Sequence, residues 1–377
     1  MNQNAPHLPV RTPWALIAAL YGAGLLAAGQ FAKISLTLGP LALAYPGWPV
    51  AFAVSGVAVI GILFGVMAGG LTAMIGPRRT IVAALGLSAL AGAAQALLPA
   101  FPLLIGLRVI EGAGHLVLVV AIPTLMAGLA TPRDRGLVMG LWATFFGVGF
   151  ALAALVIGQD AASVYAVHGG LCALLAVLLW WMLPRAAVMR RAPPRLSDHG
   201  VIYRDPRLFA PALGHGIYAF LFLAAVTFLP SALDALWLAP ILPIVGIIGS
   251  LAAGAIARWV TPGALVAGGF GAMAAIFAMG LVWPSRAAEL SVLAMLVSGV
   301  VAGGGFAAVP WLNPTEEARA LANGALAQLG NIGTFAGTPV LAALGAGASL
   351  PLAIAAGVFG AAVTTYAYRA AIKVNVH

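Results

Sequence analysis

Arg108, Glu111 and His115 stand inside an apolar run that extends from Pro102 to about Leu129. A run of that length predicts a membrane-spanning helix, where charges are costly and face a bundle interior or a watery cavity. Their i, i+3, i+7 spacing places all three on one helical face. At ~1.5 Å per residue, Glu111 falls roughly 14 Å along the run, near the middle of a hydrocarbon core about 30 Å thick. An arginine there can hold an anionic group in its planar fork. Burial and Arg108 pull Glu111 towards opposite protonation states, a balance that suits proton exchange, and His115 one turn further on can relay the proton. The plainer reading is a fixed ion pair that only orients helices.

Other polar residues repeat the pattern of one face per helix. Gln30, Lys33 and Thr37 follow i, i+3, i+7. Lys33 reads either as a cation at a cavity mouth, drawing an anion, or as a side chain snorkelling to the headgroups. Gln328, Asn331 and Thr338 make a neutral stripe that can bond a solute without burying a charge, or bond another helix. Tyr218 pairs with His215, as site or gate, and Trp142 with Phe145 can wall a cavity. His168, close to a predicted helix end, is expected at the interface. Gly61, Gly65 and Gly69 recur every fourth residue, a surface for close helix approach, and Gly303-Gly304-Gly305 reads the same way. No metal or cofactor is expected: His115 and His215 are isolated, Cys172 is alone, and the 10 Met residues form no i, i+4 pair. Polar residues scattered singly over helices do not make an enzyme active site.

These faces need helices to carry them, and the composition supplies them. The chain is 63% hydrophobic and 7% charged over 377 residues, the mark of a polytopic membrane protein. The net charge of +9 does not imply nucleic acid. Apart from Arg286, Lys33 and Arg108, every one of the 18 Lys and Arg residues falls in segments on one side of the membrane. That asymmetry predicts cytoplasmic termini in a cell (inner) membrane. The single cysteine excludes an internal disulfide, and the first run has no cleavage pattern, so it reads as a retained helix. Apolar runs predict twelve spans: roughly 13–37, 48–73, 80–98, 102–129, 136–158 and 162–183, then 207–230, 236–257, 262–283, 287–310, 320–344 and 350–370. The fold class is all-α, with a six-helix bundle in 1–183, a cytoplasmic linker at 184–206 around Ala192-Pro193-Pro194-Arg195, and a second bundle in 207–377. The halves repeat. Arg11-Thr12-Pro13 matches Arg204-Asp205-Pro206, the Gly69 to Gly76-Pro77 spacing matches Gly254 to Thr261-Pro262, and Arg135 to Gly140 matches Arg319 to Gly324.

These residues resemble the major facilitator superfamily. Gly69, Ala73, Gly76, Arg78 and Arg79 are similar to its loop signature of a Gly, an Asp four on, a Gly seven on and then basic residues. Ala73 stands where that Asp would be, so the resemblance implies a cytoplasmic latch that is weaker or built differently, with Arg135 as a neighbouring gate residue. Arg108-x-x-Glu111-Gly112-x-Gly114 resembles the family's Arg-x-x-Gln-Gly-x-Gly motif, with Glu for Gln. The run from Arg108 to Pro123, with Trp142, is similar to the cyanate-permease-like branch. The Gly-Pro motif of drug/proton antiporters is absent, and Gly147-Val148-Gly149 stands there. The resemblance covers the whole chain and implies two bundles around a cavity that opens alternately to each side.

The reading is a secondary active transporter, not an enzyme, working by alternating access. It is expected to move a small polar or anionic organic solute, with proton coupling through Glu111 and His115. Its expected solute contacts are Gln30, Lys33, Arg108, Glu111, His115, Trp142, Tyr218, Gln328 and Asn331. Lys33 and Arg108 against Glu111 leave one excess positive charge, which favours an anion. Protons and the lipid bilayer are the other partners, and a monomer is the expected state. The alternatives are a proton-driven exporter of amphipathic compounds and a non-transporting membrane sensor or scaffold.

Overall fold

Proline and capping residues set where the helices begin. In the computed structural model, which describes residues 11–65, 67, 75–131, 133–158, 160–184, 198–257, 259–314 and 316–374, four long helices open on or beside a proline at the first turn. Proline has no N–H to leave unsatisfied there. The first bundle is built from α1 (Trp14–Leu36), α2 (Leu38–Ala44), α3 (Ala51–Ser55), α4 (Ala58–Phe64), α5 (Pro77–Ala96), α6 (Phe101–Leu129), α7 (Arg135–Ala143), α8 (Phe145–Val156) and α9 (Ala161–Met182). A short helix, α10 (Asp198–Arg204), precedes the second bundle: α11 (Pro206–Ala232), α12 (Leu238–Ile256), α13 (Pro262–Val282), α14 (Ala287–Leu312), α15 (Glu316–Leu344) and α16 (Ser349–Val374). No strand occurs among the described residues.

Nine helices among the described residues are long and apolar enough to cross a membrane. The other predicted spans depart from a simple apolar rod. The second is broken into α3 and α4, the fifth into α7 and α8, and α15 carries the polar stripe. The irregularity at Gly56-Val57, where the backbone keeps helical dihedrals, coincides with a side chain from another helix. In an unbroken helix the Ala53 and Val54 carbonyls would accept from Val57 and Ala58. Here both accept from the Arg108 guanidinium, at 2.7 and 3.4 Å. At the second break, the Thr144 hydroxyl bonds the Leu141 carbonyl and Tyr21 Oη, both at 2.8 Å.

Within the first bundle, α1 packs on α6, α8 and α9, and α5 packs on α6 and α9. Within the second, α11 packs on α15 and α16, α12 on α14, and α13 on α14 and α16. Glycines let these backbones meet. A Cβ on Gly112 would strike the Val57 carbonyl, and one on Gly299 the Gly246 carbonyl. Gly303 and Gly304 likewise meet α12 and α13. The two bundles touch along two seams, α8 with α12 and α3–α4 with α15. Gly61 and Gly65 lie in the second seam, against Asn331 and the Gln328 backbone, while Gly69 lies outside the described residues.

Between the seams a cavity of about 1100 Å3 opens at the end opposite the chain termini. This vestibule is walled by Trp48, Phe52 and Phe228, with hydroxyls from Ser35, Thr227 and Ser231. One to two turns nearer the termini, rings close its floor. Phe146 of α8 lies 5.8 Å from Phe31 of α1 and 6.0 Å from Phe222 of α11, centroid to centroid.

Candidate functional site

The ionisable residues of α1 and α6 meet inside the first bundle. Arg108 and Glu111 are fully buried, and Lys33 is 1% exposed. Lys33 Nζ donates to Glu111 Oε1 at 2.8 Å, and Arg108 Nη1 donates to Oε2. Gln95 Nε2 of α5 donates to the same Oε2 at 2.8 Å. Other guanidinium donors reach backbone: Nε to Ala53 O, and Nη2 to Gln30 O, both at 2.7 Å. Charges taken out of water need such pairing, and Glu111 and Arg108 make several hydrogen bonds each. The snorkelling reading of Lys33 is therefore overturned, because Glu111 at the same depth is a nearer partner than any headgroup.

Gln30 ties this cluster to His115. Its Oε1 accepts from His115 Nδ1 at 2.9 Å, its Nε2 donates to Ser88 Oγ at 2.8 Å, and Ser88 Oγ donates to the Ala84 carbonyl at 2.9 Å. This chain of donors assigns the His115 proton to Nδ1. Among the described residues His115 joins Glu111 through Gln30 and Arg108, with no direct bond between them. The His115 ring also meets Phe31 edge-on at 5.1 Å. Beyond Lys33, Thr37 bonds the Lys33 carbonyl at 2.5 Å and Tyr165 Oη at 3.0 Å.

Several residues of this network escaped the sequence reading. Ser88 and Gln95 share a face of α5 at i, i+7, a signal present in the sequence. Tyr165 and the hydroxyls of the vestibule had none. His168, expected at the interface, is buried, and its Nε2 donates to the Leu26 carbonyl at 3.0 Å. Burial against α1 rather than exposure at a helix end decides its environment.

The remaining expected contacts lie elsewhere. Trp142 is buried, stacked on Phe145 at 4.4 Å and set against Gly24, where a Cβ would come within 2.7 Å of the indole. Tyr218 lies between His215 at 5.7 Å and Phe222 at 5.5 Å, tilted against each ring, beside the aromatic floor. Gln328 and Asn331 are in the α4–α15 seam and do not line the vestibule. Gln328 Nε2 donates to the Ile62 carbonyl at 2.7 Å, its Oε1 accepts from Tyr203 Oη of α10 at 2.7 Å, and Asn331 Nδ2 bonds the Ala327 carbonyl of its own helix.

Of the gate motif, Gly69, Ala73 and the Arg135 side chain lie outside the described residues, as does 185–197 of the linker. Gly76 adopts φ +92° before Pro77, a conformation that favours glycine. Arg78 stays within the first bundle, donating to the Trp180 carbonyl at 2.6 Å with its guanidinium 4.3 Å from the indole centroid. Arg79 is exposed.

This arrangement joins two helix bundles, a vestibule at the end opposite the termini and a buried charge network in one chain. The sequence profile of the Major Facilitator Superfamily matches residues 14–338. The chain belongs to the Major Facilitator Superfamily. It is a multi-pass membrane transporter and not an enzyme. A comparison with curated protein sequences finds no match. Among solved structures, a D-xylose–proton symporter aligns at TM-score 0.70 and 17% identity, covering 94% of this chain and 97% of its own. The nucleoside transporter NupG aligns at TM-score 0.72 and 14% identity, covering 94% and 100%. A bacterial homologue of the human lysosomal transporter Spinster, inward-facing and unoccupied, aligns at TM-score 0.67 and 15% identity, covering 95% of each. At these identities the superfamily likeness is one of fold.

Proposed function

We propose that this superfamily member is a secondary active transporter that moves a small polar or anionic organic solute by alternating access, coupled to protons through Glu111. The observation that carries the reading is the buried Lys33–Glu111–Arg108 network, whose two cations and one anion leave a positive excess at mid-depth. Lys33 is within one turn of Ser35 and Leu36, which line the vestibule, so an anion entering there comes near that excess. Gln95 supports the coupling. Its Nε2 serves the ionised carboxylate while its buried Oε1 has no partner. A half-turn of the amide would offer Oε1 to a protonated Glu111, so the network can hold both protonation states. The likeness of 108–123 and Trp142 to the cyanate-permease-like branch, cytoplasmic termini and a monomer belong to the same proposal.

The test uses proteoliposomes with an internal pH dye and a panel of lactate, succinate, benzoate and D-xylose. An anion should move protons with it. Glu111→Gln should keep counterflow of that labelled anion and lose accumulation driven by a pH gradient. A folded Gln variant that still accumulates the anion in response to the gradient removes Glu111 from coupling, and preference for xylose removes the anion.

A second reading, a proton-driven exporter of amphipathic compounds, draws on the vestibule walls. Among the described residues they carry no charged side chain and are mostly apolar. Proton-driven efflux of ethidium, without uptake of the carboxylates, would favour it.

A further inference from the structure

The flank of the first bundle holds another cavity, apart from the vestibule. α8 and α9 both pack on α1 and leave a crevice between them of about 470 Å3. That volume falls within the ~300–1,000 Å3 of small-molecule sites. Its walls are Leu152 and Val156 of α8 and Val167 and Leu171 of α9, all exposed on an apolar outer face that suits the bilayer. Lys33 and His168 border it from within, and Asp160 and Ser163 stand at its far rim.

Lys33 is incompletely satisfied there. An ammonium has three N–H donors. One reaches Glu111 Oε1, and Nζ lies 5.6 Å from the centroid of the Tyr165 ring. Among the described residues no other acceptor bonds it. Burying a charge without its full set of hydrogen bonds is costly. The surrounding charge does not cancel either, since among the described residues Lys33 and Arg108 share the one carboxylate of Glu111. Two other polar groups of the crevice are bonded to partners other than Lys33. His168 Nε2 donates to Leu26 O at 3.0 Å, and Asp160 Oδ2 accepts from Ser163 N at 3.2 Å. A ligand with acceptor oxygens, one negative charge and an apolar body would supply acceptors to Lys33 and fill the walls together.

We propose that this crevice binds a single-chain aliphatic carboxylate from the bilayer, its head on Lys33 Nζ and its chain between α8 and α9. The head adds to the contacts of Lys33 without displacing Glu111. The volume admits one chain, and the carboxylate at the rim disfavours a head with a second negative charge. Both readings draw on the positive excess at Lys33, but this one concerns a ligand from the bilayer and is read by labelling of the crevice, not by transport.

The full chain in phosphatidylcholine nanodiscs would be photolabelled with laurate carrying a diazirine on its chain, then digested and mapped by mass spectrometry. Adducts should concentrate in 149–171, and unlabelled laurate should compete. Labelling should exceed that by the methyl ester of the same probe by about tenfold, the worth of a charge-assisted hydrogen bond. Lys33→Met should remove that preference, but it also frees Glu111 and can fail to fold. Val167→Trp fills the crevice mouth without touching the charges, and should abolish the concentrated labelling while leaving the thermal midpoint in place. Adducts spread evenly over the lipid-facing helices, equal labelling by the methyl ester, or labelling insensitive to Val167→Trp would each overturn the proposal.

Discussion

Arg108 reaches three elements from one side chain: the Gln30 carbonyl of α1, the Ala53 and Val54 carbonyls of α3, and Glu111 on its own helix. The shape of the guanidinium, not only its charge, makes this possible. A lysine at that position has one nitrogen and cannot span the same acceptors. Arg108→Lys should therefore leave buried carbonyls unpaired, each at a cost of roughly 1–3 kcal/mol. We expect a lower thermal midpoint and a transport rate reduced by about tenfold or more. Unchanged transport kinetics and melting in the lysine variant would show that charge alone suffices.

At the scale of elements, the α4–α15 seam is closed near the termini by uncharged groups. Gln328 bonds Ile62 across the bundles and Tyr203 of the linker helix at once. Each such bond contributes about 1 kcal/mol, so Gln328→Leu should shift the population towards opening at that end by roughly fivefold or more. Spin labels on the termini-side ends of α6 and α14 should report longer distances in Gln328→Leu, and a smaller change in Tyr203→Phe. An unchanged distribution in folded protein would leave the seam to the Gly61–Asn331 contact.

A second tie joins the start of α1 to the loop before α7. Thr12 Oγ1 donates to Asp134 Oδ2 at 2.6 Å, and Thr131 Oγ1 to the same oxygen at 3.0 Å. The two hydroxyls hold the Asp134 carboxyl below its ordinary value of 3.8. A folded-state value lower than the unfolded one gives stability that is present above the unfolded value and lost as pH falls through the folded one. Thr12→Val should melt slightly below the wild type at neutral pH, and the gap should close on acidification below the ordinary carboxyl range. A gap independent of pH would assign the effect to packing.

For the whole molecule, the vestibule lies on the side of the aromatic floor away from the chain termini. Thr227 lines it, with its hydroxyl on Ser35 at 3.1 Å. In a Cys172→Ala background, Thr227→Cys should react with a membrane-impermeant thiol reagent added outside intact cells, if the arginine-rich face is cytoplasmic as its charge predicts. Reaction only from the inside would reverse the orientation. Reaction from neither side would mean that the vestibule is closed in the membrane.

Composition and the long apolar runs were enough to make this chain a bundle of membrane helices, because hydrophobic length is a local property. Local spacing likewise put Arg108, Glu111 and His115 on one face at mid-depth. It could not say what that face meets. Lys33 pairs with Glu111 across 78 positions of sequence, and Gln328 bonds Ile62 across 266. Such meetings depend on how each helix is rotated and crossed against its neighbours, which glycine contacts such as Gly112 on Val57 help to set. Tertiary packing therefore made Lys33 an internal counter-ion, put Gln328 and Asn331 in a seam, and left Ser35 and Thr227 to the vestibule. The irregularity after α3 belongs to the same class, since it coincides with a side chain more than fifty residues away.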